Sequence, residues 1–219
     1  NQAEVRKSRL VALCRAIYPF LQDELFLPWS ERAFQDVLHA HIGSLSALGL
    51  IRETDEDEAL RRAPGGTDKA YLCKLVGQAL LPTLERFYIT LAVLKENGSG
   101  SLDRSELERY CQLTAERLTL LHHYEAPEFF DRILFRKMVD RMTNLGLLTR
   151  DSDQRIVFDK RLEQFTVDAK LILDKDIRHT ILQIAPTSGT KDQTTAQKNE
   201  TESASASDQR SIERQRKAG

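Results

Sequence analysis

No uninterrupted apolar run in this 219-residue chain approaches the eighteen or more residues that a helix needs to cross a bilayer. The nearest candidate, Ala79–Leu94, is broken by Glu85 and Arg86. The first residues do not read as a secretory leader, since charges begin at Glu4, although in a piece of a longer chain this leaves the parent's targeting open. Cysteine is scarce and odd in number. Cys14, Cys73 and Cys111 lie far apart, which argues against a disulfide framework or a zinc knuckle and fits a reducing, cytoplasm-facing location. Neither sign of charge dominates: 32 basic against 33 acidic residues leave a net charge of −1, with no sequence-independent pull toward nucleic acid or anionic lipid.

What is present is helical periodicity. A hydrophobic content of 41% fills the core of one or two domains. Leu10, Leu13, Cys14, Ile17 and Leu21 predict a first helix that Pro19 should disturb near its end. Ser30 as cap, then Phe34, Leu38, His41, Leu45 and Leu48, predict a second that stops at Gly49. A long apolar helix is expected from Ala70 to Lys95, ended by Asn97-Gly98-Ser99-Gly100. Asp103 and Glu106 have capping-box spacing ahead of the stripe Leu107, Tyr110, Cys111, Thr114, Leu118 and Leu121. Pro127 reads as the first residue of a helix to Leu145, followed by a hairpin over Leu147–Phe158 and a last helix over Lys160–Gln183.

Two segments are alike. Ser46–Ile51 and Thr143–Leu148 each close a helix and open a short strand, ninety-seven positions apart. Helix, strand, turn and strand is the second half of a winged-helix unit, so two such units in tandem fit the pattern. Leu-Gly-Leu is also a common helix stop before an edge strand, and both readings stand. Beyond Ala185 there is no aromatic residue and Ile212 is the single large aliphatic, so Pro186–Gly219 is expected to be a disordered tail. The expected units are therefore 1–98, 99–185 and 186–219.

The longest informative stretch is ERFYITLAVL from Glu85 with LDRSELERYCQLTAERLTLLHHYEAPEFFDRILF ending at Phe135. It resembles the C-terminal region of the bacterial membrane-bound glycerol-3-phosphate acyltransferases, most strongly over Leu84–Phe135 and more weakly over Leu10–Ile184. The residue pattern reads as a mainly α domain with two short β-hairpins, and the resemblance makes it the C-terminal domain at the tail end of a longer enzyme. It implies acyl transfer from acyl carrier protein or coenzyme A to the sn-1 hydroxyl of glycerol 3-phosphate, with no other cofactor. The implied location is peripheral, on the cytoplasmic side of the inner membrane. The implied partners are the upstream catalytic domain, acyl carrier protein and the membrane, and not nucleic acid.

That family uses a His and an Asp separated by four residues, the His as general base and the Asp to orient it. Here His39 is followed five positions on by Ser44, His41 by Ser46, His122 by Pro127, His123 by Glu128 and His179 by Ile184. The motif is absent, as is the Phe-x-x-Glu-Gly segment that the family uses near the substrate phosphate. No catalytic, substrate-binding or metal residue is therefore assigned, and the fragment alone is expected to be inactive. His123 with Glu128 comes nearest, but a helix-junction histidine explains it better. Adjacent His122 and His123 point about 100° apart on a helix and cannot share a metal ion as neighbours, and His39 and His41 face apart likewise. Cys14 and Cys111 sit on apolar stripes and read as core. The aromatics Phe87, Tyr88, Phe129, Phe130 and Phe135 read as core rather than as a lipid-contacting surface. Arg132, Arg136, Lys137 and Arg141 make one helix side basic, yet Asp131 and Asp140 interrupt it, and a solvated face is preferred to a nucleic-acid-reading one. The rival function is a free-standing tandem winged-helix module that binds nucleic acid or protein.

Overall fold

The computed structural model describes residues 4–54, 58–122 and 131–188. The chain divides into two units, Asn1–Pro186 and Thr187–Gly219, and of the second only Thr187 and Ser188 are described. The tail reading therefore lies outside the described residues from 189 onward.

The chain order is β1 (Glu4–Arg6), α1 (Lys7–Glu24), α2 (Glu31–Ala47), β2 (Ile51–Thr54), β3 (Ala59–Arg62), α3 (Asp68–Gln78) and α4 (Leu81–Asn97). It continues with α5 (Arg104–His122), α6 (Arg132–Asn144), β4 (Leu148–Arg150), β5 (Ile156–Phe158), α7 (Arg161–Ile172) and α8 (Lys175–Ile184). The mainly helical expectation with two small antiparallel sheets holds. Caps fall where the sequence places two of them. Ser30 Oγ accepts from the Ala33 amide at 3.3 Å, and Asp103 and Glu106 form a reciprocal capping box at 2.8 and 2.9 Å.

Four expectations need correction. Helix α1 runs on through Pro19 to Glu24, because buried Ile17, Tyr18, Phe20 and Leu21 hold it against the one amide bond that proline forfeits. The expected helix over Ala70–Lys95 is two helices, broken at Ala79–Leu80, because Pro82 has no N–H to bond the Gln78 carbonyl and fits only the first turn of a new helix, α4. Helix α6 starts at Arg132 with Asp131 Oδ1 accepting from the Ile133 amide at 2.8 Å, while Pro127 lies outside the described residues. The last helix is likewise two, separated by Leu173 and Asp174. The first hairpin also gains a strand that the sequence did not announce: β1 pairs with β3, giving the order β1-β3-β2 with Val5 opposite Leu60.

The architecture is duplicated at a fixed offset. Ninety-seven positions separate the start of α1 at Lys7 from that of α5 at Arg104, and the end of α2 at Ala47 from that of α6 at Asn144. The same offset separates Ile51 from Leu148 and Ala59 from Ile156, the first residues of the matching strands. Even the helix stops agree. Leu50 N–H bonds the Leu45 carbonyl and Leu147 N–H the Met142 carbonyl, with Gly49 and Gly146 at φ +69° and +67° between. The segment 100–103 runs beside β5 as β1 runs beside β3, through the Gly100–Ile156 and Ile156–Leu102 backbone bonds and the Asp103–Arg155 bridge. Each half thus builds strand, helix, helix and hairpin in a winged-helix-like order.

The main core belongs to α4. Every residue from Glu85 to Leu94 is buried, so the helix is enclosed on all sides, by α5, α6, α7 and α8. Phe20 reaches it from α1, stacking near Phe87 at 4.5 Å, and Phe165 closes the cluster edge-on.

Candidate functional site

Among the acid–base candidates whose side chains the structure describes, His39, His41 and His179, none is brought into a constellation. His39 and His41 are both exposed on α2, with the His41 ring meeting Trp29 edge-on. His179 is exposed on α8 and contacts Gln183. His122 ends α5, and His123 and Glu128 lie outside the described residues. Among the described residues no group of three or more His, Cys, Asp or Glu could hold a metal ion.

The cysteine and aromatic readings hold where the structure describes them. Burial pushes the Cys111 thiol up to about 12 and the Cys14 thiol up to about 11, so both stay protonated and serve as packing. Phe87, Tyr88 and Phe135 are core residues, whereas Phe129 and Phe130 lie outside the described residues. Burial also raises the Tyr88 hydroxyl, which Arg178 hydrogen-bonds.

The basic side of α6 is neutralised from an adjacent helix. Glu108 on α5, almost fully buried, accepts from Arg104 Nε at 2.9 Å and Arg132 Nε at 3.3 Å, with Arg136 Nε at 3.6 Å. Arg104 also bridges to Asp140 at 2.7 Å, and Arg141 Nε donates to the Pro19 carbonyl at 2.9 Å. In the first half the matching helix α2 offers Arg32 between Glu31 and Asp36. Arginines committed to carboxylates and carbonyls are poor phosphate ligands, so the geometry speaks against a nucleic-acid groove. The signal that could have revealed this is Glu108, one turn from Arg104 on the most regular helix of the chain.

Among the described residues, two of the uncovered apolar surfaces meet at helix α3. The first is helix α3, which buries none of its residues and presents Tyr71, Leu72, Leu75 and Val76, with Tyr71 69% exposed and Val76 58% exposed. Thr67 caps it through the Ala70 amide at 3.2 Å, so it is a formed helix with an apolar face in solvent. The second is a groove of about 770 Å³ on the opposite side of α3. Leu10, Leu13, Ile42, Leu45, Ile51 and Leu60 form its apolar floor, Cys73 and Gly77 of α3 one wall, and Leu81 and Leu84 of α4 another. Arg62, Lys74 and the Glu4–Arg61 pair stand at its edge. Neither surface carries paired groups for proton transfer or nucleophilic attack among its described residues.

Comparison with known proteins gives these surfaces a context. Residues 1–151 match the family model described as the glycerol-3-phosphate acyltransferase C-terminal region. A glycerol-3-phosphate acyltransferase of Xanthomonas campestris pv. campestris is 40% identical over 188 residues, which cover 85% of this chain and 21% of that enzyme. The corresponding enzyme of Xanthomonas axonopodis pv. citri is 39% identical over 88% of this chain and 22% of its own length. That of Pseudomonas syringae pv. syringae is 33% identical over 88% of this chain and 23% of its own. The chain spans about a fifth of the length of these relatives. No solved structure matches it.

Proposed function

The chain belongs to the glycerol-3-phosphate acyltransferase C-terminal region family, and from that premise we propose that it is the accessory scaffold of such an enzyme, holding its catalytic part through α3. The observation that carries the reading is the pairing of a family match over residues 1–151 with a chain that has no His-x4-Asp motif. Acyl transfer to glycerol 3-phosphate needs a base to take the sn-1 hydroxyl proton, whereas His41 packs edge-on against Trp29 and His179 contacts Gln183 rather than a carboxylate. The reaction is therefore assigned to the rest of the longer enzyme, with acyl carrier protein or coenzyme A as donor. That enzyme is placed peripherally on the cytoplasmic side of the bacterial inner membrane. Among the described residues no helix is long and apolar enough to cross a membrane. No nucleic-acid partner is assigned.

The test is an assay of the purified 219-residue chain with labelled glycerol 3-phosphate and an acyl donor, beside the longer enzyme. We expect product from the longer enzyme and none above a buffer blank from the chain alone. Turnover by the chain alone would overturn the assignment.

A further inference from the structure

The groove has a filled counterpart in the same molecule. A step of ninety-seven positions carries Leu10 to Leu107, Leu45 to Met142 and Ile51 to Leu148. In the second half Leu107, Met142 and Leu148 are at most 1% exposed, within the core through which α4 runs. In the first half Leu10, Leu45 and Ile51 are only partly buried and line the groove. The difference is one helix. In the second half α4 stands directly before the strand-like segment 100–103, and the first half has no described helix ahead of β1.

We propose that the groove is the seat of a helix equivalent to α4, carried by the polypeptide that immediately precedes Asn1 in the longer enzyme. Three observations support this occupant over any other. The ninety-seven-residue offset that relates the starts of α1 and α5, the ends of α2 and α6 and the starts of both hairpins carries the end of α4 at Asn97 to the position just before Asn1. The relatives are nearly five times as long as the matched region, so the family carries chain to supply it. The walls also correspond: α4 is flanked by α7 and α8, and the groove by α3 and the start of α4. The occupant's chemistry follows from its seat. The side over Leu10, Leu45 and Ile51 is aliphatic, and the rim is charged with both signs, Arg62 and Lys74 beside Glu4 and Asp174.

The inference rests on the reading of the chain as part of a longer enzyme, but its test does not use acyl transfer. Cys73 lines the groove and is partly exposed; Cys111 is buried, and Cys14, partly exposed but outside the groove lining, has its thiol raised by desolvation. Its alkylation by iodoacetamide, quantified by peptide mass spectrometry, reports whether the groove is filled. Three proteins are compared: the 219-residue chain, the same chain extended N-terminally by about 20 residues of the parent, and the full-length enzyme. We expect Cys73 to react at least about tenfold more slowly in the extended chain and in the full-length enzyme than in the 219-residue chain. Leu45→Glu or Leu10→Glu in the extended chain, with helix content unchanged, should restore the fast rate. Equal rates in the extended and 219-residue chains overturn the proposal, whether or not the full-length enzyme is protected, since protection there alone assigns the groove to another segment. Slow, concentration-dependent labelling of the 219-residue chain also overturns it, because the occupant is then a second copy.

Discussion

Cys111 shows how one side chain couples the core to solution conditions. It is fully enclosed, with its sulfur 3.8 Å from Thr90 Oγ1, and desolvation lifts its thiol from 9.0 to about 12. Cys14 moves in the same direction, to about 11. In both cases the folded state holds the proton more tightly than the unfolded state does. The corresponding stability is complete below pH 9 and declines as pH rises toward the folded values. The urea midpoint should therefore be steady up to about pH 8.5 and fall between pH 9 and pH 11. At pH 10 the Cys111 share of the loss is roughly 1 kcal/mol. Cys111→Ala should be less stable at neutral pH through the lost packing, yet show a shallower alkaline decline than the native chain. Parallel curves would mean that the thiol is not desolvated in solution.

At the scale of elements, the repeated helix stops depend on glycine. Gly49 and Gly146 both sit at positive φ, which an L side chain adopts only at a cost of about 1 kcal/mol or more. A Cβ on Gly146 meets nothing within 4 Å, and one on Gly49 would displace only the mobile end of Lys69. Gly49→Ala and Gly146→Ala should thus each lower unfolding free energy by about 1 kcal/mol through the backbone alone, as read by urea titration. A cost of several kcal/mol at Gly49 would show that Lys69 cannot yield. These stops were legible in the sequence because Leu-Gly-Leu occurs twice at the same distance from a helical stripe. Helix breaks were less legible: between α3 and α4 the apolar pattern continues through Ala79 and Leu80, and Pro82 marks a first turn as readily as an interior kink. Strand β1 was hidden because three residues, Glu-Val-Arg, carry no period, and its partner β3 lies more than fifty positions away. The groove could not be read from sequence, since it arises from the absence of a helix beside a floor that looks like ordinary core.

Across the whole of residues 4–186, the two halves share a buried ion pair. Glu24 at the end of α1 pairs with Arg86 on α4 and accepts from Thr83 Oγ1 at 2.8 Å, while Arg86 Nε has no hydrogen-bond partner. Removing one member leaves a guanidinium 6% exposed without its carboxylate. Glu24→Leu should therefore cost about 3–5 kcal/mol, and Glu24→Leu with Arg86→Met should recover most of it, which a double-mutant cycle in urea would measure. An additive cycle would show the pair to be incidental. The encirclement of α4 also has a consequence in time. Its partners α5 to α8 are made after it, the last ending at Ile184, so roughly ninety residues must be translated before the helix can be fully covered. At synthesis rates of about 5–20 residues per second that interval is about 5–18 seconds. Throughout it, the most apolar helix of the chain is a nascent segment waiting on the ribosome, and a helix made earlier that seats beside α1 and α2 would give the growing chain its first finished surface.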